Sequence, residues 1–364
     1  MFTVLHTESS RGWGGQENRT LQESIGMRKL GAKVLILCQP DSILGKNAMA
    51  EGFDVRTCMM RKSYDFGAIK YIQKLIKTEN VDIINTHSGK DSLLAGIAGR
   101  ISRKKPVIVR TRHLALPITS KITYSLLPHM VVTVSEYVRQ YLISEGISPE
   151  KVTAIPTGID LNKFNQEKTT ATLKEELGLK ADVPTVGTIA ILRIKKGHNI
   201  LLDAIPLIWK DIPEAVFIFA GDGPQKENIL SKIKSSGLSD KVFMLGMRKD
   251  ITNILKSIDL FVLPTLQEAL GTSFIEAMAM EKPVIGTDVD GVKEVIRDGI
   301  NGYLVEPNNP AALSGAILRM LQDKERASIM GIEGRKIVEQ NFAAEKMCEK
   351  MYMLYMSLLR KKPL

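Results

Sequence analysis

The chain has 364 residues, 44% hydrophobic and 25% charged. This soluble-protein balance excludes a disordered, collagen-like or coiled-coil chain, and the length sets a prior of two domains at roughly 150 residues each. Fifty Lys and Arg against 40 Asp and Glu leave a net +10, and the excess is lopsided: residues 1–170 hold 24 basic and 15 acidic side chains (+9), residues 171–364 hold 26 and 25 (+1).

In chain order, short β-branched runs alternate with helical patterns. Predicted strands cover 3–6, 34–38, 81–87, 107–112, 130–134 and 152–155, with helices over 16–30, 66–78, 90–102 and 136–145. Repeated βα alternation predicts a parallel sheet with helices on both faces. The turn Pro156-Thr-Gly-Ile-Asp160 breaks the series, and 162–168 is polar without periodicity, which sets a domain boundary there. A second series follows, with strands over 185–191, 216–220, 242–245, 260–263 and 283–286 and helices over 199–209, 225–235, 251–256 and 272–280. The expected division is 1–165, 166–342 and a terminal helix in 343–364, whose Met-, Tyr- and Leu-rich face reads as core. Two tandem α/β domains imply a cleft where ligands meet the carboxyl ends of strands.

Three scattered cysteines (Cys38, Cys58, Cys348) form neither a disulfide framework nor a zinc pattern. The opening residues lack a signal-peptide pattern, and no run reaches the 18 or so apolar residues of a membrane span. A cytoplasmic protein is expected.

Several strand ends carry chemistry. Residues 263–283 read as strand, turn and helix, with Glu268 before the turn, Gly271 in it and Glu276 in the helix. The backbone N–H groups of Leu270, Gly271 and Thr272 would open the helix as a phosphate site. Glu268 and Glu276 are about 12 Å apart if helical, too far for the 5–9.5 Å of roughly paired glycosidase carboxylates. They suit two hydroxyl-bearing points of one elongated ligand, or else a helix cap and a solvated glutamate; spacing leaves both open. Arg193 and Lys196, in Arg193-Ile-Lys-Lys-Gly197, leave a strand toward the cleft, where two cations suit a diphosphate. Lys195 and His198 are expected to face solvent. Gly221-Asp-Gly223-Pro224 is a tight turn that could line a nucleotide pocket.

In the first domain, the loop 8–17 sits where a phosphate-binding loop would, but Glu17 stands where GxGxxG needs glycine. Gly89-Lys90 is followed by Asp91, so there is no P-loop. His113 follows two arginines at a strand end and is a functional candidate, as is His87. Asp288-Val-Asp290 has no third ligand nearby and does not read as a metal site.

Together these residues resemble the retaining nucleotide-sugar glycosyltransferases of family four. The likeness rests on Glu268 to Glu276 (an E-x7-E signature), 277–287, 291–302, Gly14-Gly15-Gln16-Glu17, Val134-Ser-Glu136, Pro156 to Asp160, Arg193 to Gly197 and Gly221 to Pro224. It departs in the three-residue spacing of Arg193 and Lys196, in Thr157, and in Ala269. The resemblance implies an α/β GT-B fold: two Rossmann-like parallel-sheet domains facing a central cleft, acceptor-binding first and donor-binding second, with the terminal helix crossing back to the first. It implies Glu268 on donor-sugar hydroxyls, the N–H groups of residues 270–272 on the diphosphate and Glu276 on the ribose. Arg193 and Lys196 would face the leaving group, Gly14 and Gly15 the phosphates, His113 the transferred sugar, and Arg248 the base pocket beside Gly221 and Gly223. No metal or cofactor is implied; the donor is a UDP- or GDP-sugar.

The implied function is retaining transfer of a sugar, as by a hexosyltransferase, to an acceptor hydroxyl in lipopolysaccharide, polysaccharide or other cell-envelope glycan synthesis. A nucleotide-sugar epimerase of the same fold and a non-catalytic anion-binding module are the alternatives. Nucleic acid is disfavoured, because aromatics are 5% and no basic–aromatic stripe occurs. The +9 of the first domain is densest at Arg61-Lys62 and 100–105, with Arg360 to Lys362 as a further patch. It predicts an anionic acceptor or a peripheral position on an anionic membrane face.

Overall fold

The computed structural model describes residues 1–62 and 64–361; Lys362 lies outside them. The chain forms two compact units, Met1–Gly158 with Ala343–Leu364, and Ile159–Phe342.

The first unit holds seven parallel strands: β1 (Thr3–Glu8), β2 (Lys33–Cys38), β3 (Asp54–Thr57), β4 (Ile83–Thr86), β5 (Val107–Arg112), β6 (Met130–Thr133) and β7 (Val152–Ala154). Their order is β3-β2-β1-β4-β5-β6-β7. Helices α1 (Gly15–Lys29), α2 (Ile43–Ala50), α3 (Phe66–Thr78), α4 (Gly89–Ile101), α5 (Ile122–Ser125) and α6 (Glu136–Ser144) connect them. β1 is buried along its whole length, as befits a central strand covered on both faces. Strand order reverses between β1 and β4, the point where open α/β sheets place ligands.

The C-terminal helix Ala344–Arg360 completes this unit. Its Met347, Cys348, Met351 and Tyr355 are buried with Phe2, Met27 and Val34, whereas Met353 faces out, so the Met- and Tyr-rich face is core. A side chain at Gly26 of α1 would overlap Cys348; this glycine lets the two helices touch.

The second unit holds six parallel strands, β8 (Thr185–Ile189), β9 (Val216–Ala220), β10 (Val242–Gly246), β11 (Leu260–Leu263), β12 (Val284–Thr287) and β13 (Gly302–Val305), in the order β10-β9-β8-β11-β12-β13. Its helices are α7 (Leu173–Glu176), α8 (His198–Ile208), α9 (Lys226–Ser235), α10 (Ile251–Ser257), α11 (Thr272–Ala279), α12 (Pro310–Gln322) and α13 (Lys324–Asn341). The reversal falls between β8 and β11, whose carboxyl ends carry Arg193 and Glu268. Elements beyond those predicted are β3, β13, α2, α12, α13 and the single turns α5 and α7.

Candidate active site

In the second unit, two loops distant in sequence are bolted together. After β8 the chain makes a short 3-10 turn, Ile194–Lys196. Its Lys195 carbonyl accepts from Leu266 N at 2.7 Å and Thr265 Oγ1 at 2.8 Å, both after β11. A side chain at Gly197 would run into the Pro264 carbonyl, so the loops meet backbone to backbone. This brings Lys196 Nζ onto Glu268 Oε2 as an ion pair, about 15% of each side chain exposed. Glu268 is braced at its backbone too: its N–H donates to Asp290 Oδ2 (3.0 Å) and its carbonyl accepts from Gly291 N (3.1 Å). Asp290 is thus a support for Glu268, a role no local spacing reveals, and Asp288 pairs with Lys293 at 2.9 Å.

Gly271 caps α11 at φ +93°, a left-handed conformation that side chains resist, and a Cβ there would stand 2.7 Å from Phe274. The helix therefore starts abruptly, and among the described residues no acceptor takes the N–H of Leu270, Gly271 or Thr272. Unpaired N–H groups at a helix start favour an anion. One turn on, the Glu276 side chain has no hydrogen bond or ion pair among the described residues. Burial pushes its carboxyl up to about 7 against a smaller pull from Lys163. Arg193 is exposed at the loop tip, with no side-chain partner among the described residues. A carboxylate paired to a cation, a second carboxylate without a partner, a free guanidinium and a helix start thus follow the carboxyl ends of two adjacent central strands, β8 and β11.

The remaining predicted donor residues are more structural. Side chains at Gly221 and Gly223 would strike the backbone of Ala190 and Leu192, so these glycines are accounted for by the packing of their turn. Arg248 donates to Glu176 (2.5 and 2.9 Å) and to Asp250 (2.8 and 2.6 Å). These carboxylates raise its pKa further, and Arg248 in turn holds Asp250 well below the usual carboxylate range. His198 does not face solvent as expected: it is buried edge-on to Phe219, with ring centroids 5.5 Å apart, and burial lowers its pKa to about 4. Lys195 is half-buried, and burial lowers its pKa.

In the first unit the β1–α1 loop ends at Gly14, the N-cap of α1. A Cβ at Gly14 would have an ordinary 3.5 Å contact with Glu17, so internal packing does not demand glycine there. Gly15 opens the helix. The loop is held by Glu8, which accepts from Ser10 N (2.7 Å) and Gln16 Nε2 (2.6 Å). Burial first, then Asp91, push the Glu8 carboxyl up to about 8. His113, after β5, is buried; its Nε2 lies 3.1 Å from His87 Nδ1, and His87 Nε2 lies 3.0 Å from His6 Nδ1. Sequence reading named His87 and His113 but not His6 or Glu8; the recoverable signal was their place at or beside strand ends.

The two parallel sheets define the GT-B class of glycosyltransferase fold. A crystal structure of a glycosyltransferase from Rickettsia africae ESF-5 superimposes with a TM-score of 0.90 over 99% of both chains at 24% identity. Anabaena HepE in complex with UDP and glucose gives 0.86 over 98% of this chain and 100% of that one, at 21% identity. Residues 13–163 match "Glycosyltransferase Family 4" and residues 169–337 match "Glycosyl transferases group 1". The chain belongs to glycosyltransferase family four and is a glycosyltransferase. It is 29% identical to the Escherichia coli UDP-Gal:alpha-D-GlcNAc-diphosphoundecaprenol alpha-1,3-galactosyltransferase, covering 81% of this chain and 80% of the relative. The N-acetyl-alpha-D-glucosaminyl L-malate synthase of Bacillus anthracis is 27% identical, covering 82% and 80%.

Proposed function

We propose that this enzyme is a retaining, metal-independent hexosyltransferase. It moves a sugar from a UDP- or GDP-sugar to an acceptor hydroxyl in lipopolysaccharide, polysaccharide or other cell-envelope glycan synthesis. The observation that carries the reading is the Lys196–Glu268 pair beside the unpaired N–H groups that open α11. Glu268 accepts hydrogen bonds from donor-sugar hydroxyls, Glu276 from the ribose. Arg193, Lys196 and the α11 start stabilise charge as the bond from sugar carbon to phosphate oxygen breaks, work that otherwise falls to a metal ion. In the first unit, Gly14 and Gly15 are assigned to phosphate and His113 to the transferred sugar. The acceptor oxygen bonds to the sugar carbon on the face the phosphate leaves, and its proton passes to the departing phosphate. Glu268→Ala should nearly abolish transfer in a folded protein; near-normal activity would sink the assignment. EDTA should leave activity intact, and NMR of the product should show the donor's anomeric configuration.

Exposed apolar and basic side chains of the first unit support an anionic acceptor presented at an anionic membrane face, contacted peripherally from the cytoplasmic side. No helix among the described residues is long and apolar enough to cross a membrane. Ile101, Ile122 and Leu126 are exposed at 60%, 52% and 66%. Arg100 ties the end of α4 to the carbonyls of Leu126 and Leu127 (3.0 and 2.8 Å), with Arg103, Lys105 and Lys121 exposed nearby in sequence. Exposed apolar side chains flanked in sequence by cations suit an anionic interface. Sedimentation with anionic but not neutral vesicles, weakened by salt, is the expected result; indifference to both lipid charge and salt would remove this part.

A further inference from the structure

Three histidine rings run through the first unit from its interior to His113. His6 and His87 are stacked at 5.3 Å between centroids and 19° between planes, and His87 and His113 are tilted, at 5.3 Å and 37°. Their facing nitrogens lie within hydrogen-bond distance at both junctions. At the inner end, His6 Nε2 lies 4.0 Å from Glu23 Oε1. That oxygen accepts from Tyr355 Oη (2.6 Å) and Asn85 Nδ2 (3.1 Å). Thr111 Oγ1 donates to Asn85 Oδ1 (3.0 Å), which orients the amide.

Each junction needs one donor and one acceptor. Burial lowers the pKa of all three rings; Arg19 from α1 opposes a further charge on His87 and His113, and Arg110 and Arg112 on β5 oppose one on His113. Glu23 alone favours protonation, and only of His6. Neutral rings carry one N–H each, so the chain has only two proton arrangements, and choosing one end chooses all. A carboxylate facing His6 Nε2 favours a proton there over a lone pair. His6 Nδ1 then accepts from His87 Nε2–H, and His87 Nδ1 accepts from His113 Nε2–H.

We propose that Glu23, acting through His6 and His87, holds His113 as its Nε2–H tautomer and leaves His113 Nδ1 bare to accept a hydrogen bond from a hydroxyl of the transferred sugar. This rests on the assignment of His113 to the sugar. His6 and His87 are positioning residues. Tyr355 brings the C-terminal helix into the same arrangement by donating to Glu23.

The test is the two-bond proton–nitrogen correlation spectrum of the 15N-histidine-labelled full chain between pH 6 and 8. All three rings should show the Nε2–H pattern without titrating; a doubly protonated, Nδ1–H or mixed His113 in the native chain would overturn the proposal. His87→Phe keeps the ring and breaks the chain, so the His113 pattern should become mixed and kcat/KM for the donor should fall roughly tenfold, the size of one hydrogen bond. His87→Gln, whose amide can accept from His113 and donate to His6, should restore most of the loss. Glu23→Gln keeps size and removes the selecting charge, and it carries the same expectation if His87→Phe does not fold. An unchanged His113 pattern or unchanged kcat/KM in these variants would refute the positioning role. Full activity of His113→Ala would instead sink the contact with the sugar, while the spectra judge the chain separately.

Discussion

Glu276 offers the sharpest physical prediction, because its carboxyl sits at about 7 when its ordinary value is 4.5. The cause is burial, with Lys163 acting weakly the other way. Below 4.5 the group is protonated folded or unfolded and costs nothing. As pH rises toward 7 the unfolded chain releases the proton and the folded chain keeps it, so stability falls until the penalty is complete above 7. At 1.36 kcal/mol per pH unit the penalty is about 3 kcal/mol at most, and the partial exposure of the residue reduces it toward about 1 kcal/mol. Glu276→Gln should therefore match the native protein near pH 4.5 and melt higher at pH 8, by about 2–4 °C per kcal/mol. The same change should weaken the donor roughly 10- to 100-fold, the range for a hydrogen bond to a charged group. Ribose hydroxyls that donate to Glu276 favour its charged form, so donor binding near pH 6.5 should release protons. Titration calorimetry in two buffers of different ionisation enthalpy measures this. Equal proton release by Glu276→Gln, or the same stability difference at pH 4.5 and pH 8, would refute the reasoning.

Other changes separate structural from chemical roles. Gly271→Ala forces a side chain to φ +93° and toward Phe274, costing about 1–2 kcal/mol by backbone strain alone; donor affinity should fall with it, and an unchanged Tm in a thermal melt would contradict the strained cap. Arg193→Ala removes an exposed cation, so Tm should hold while kcat falls roughly 100- to 1,000-fold; a mere change in stability would deny it the phosphate. Arg248→Ala frees Glu176 and Asp250 at the surface and should cost about 1 kcal/mol or less. Affinity for the free nucleoside monophosphate, by calorimetry, should drop as well if Arg248 also meets the base.

Much of the fold could be read because buried parallel strands are apolar runs, so β5, β9 and β11 lie at their expected bounds, and because α3 keeps a helical apolar period, burying Ala68, Ile69, Ile72, Leu75 and Ile76. The omissions have physical causes. β3 (Asp-Val-Arg-Thr) is a partly exposed edge strand with no apolar run. α12 carried a start signal in Asn309-Pro310, where the Asn309 side chain accepts from Ala312 N. α13 presents little apolar face and packs through Gly331 and Gly334. His198 shares a helical face with Leu201 and Ile205, which already argues for burial. The candidate site was legible as separate motifs, but the closure of Lys196 on Glu268 joins residues 72 apart in sequence, and Glu23 speaks to His113 only through two intervening rings. Such pairings come from sheet order, to which local spacing is blind.

The most direct test of the donor site is titration calorimetry of UDP-, GDP- and ADP-sugars into the native chain and into a Lys196→Ala, Glu268→Ala double variant whose folding is confirmed by circular dichroism. The account predicts saturable one-to-one binding of at least one UDP- or GDP-sugar without added metal, and its loss in the double variant. Binding that survives the double substitution, or no binding of any nucleotide sugar by the native chain, would contradict it.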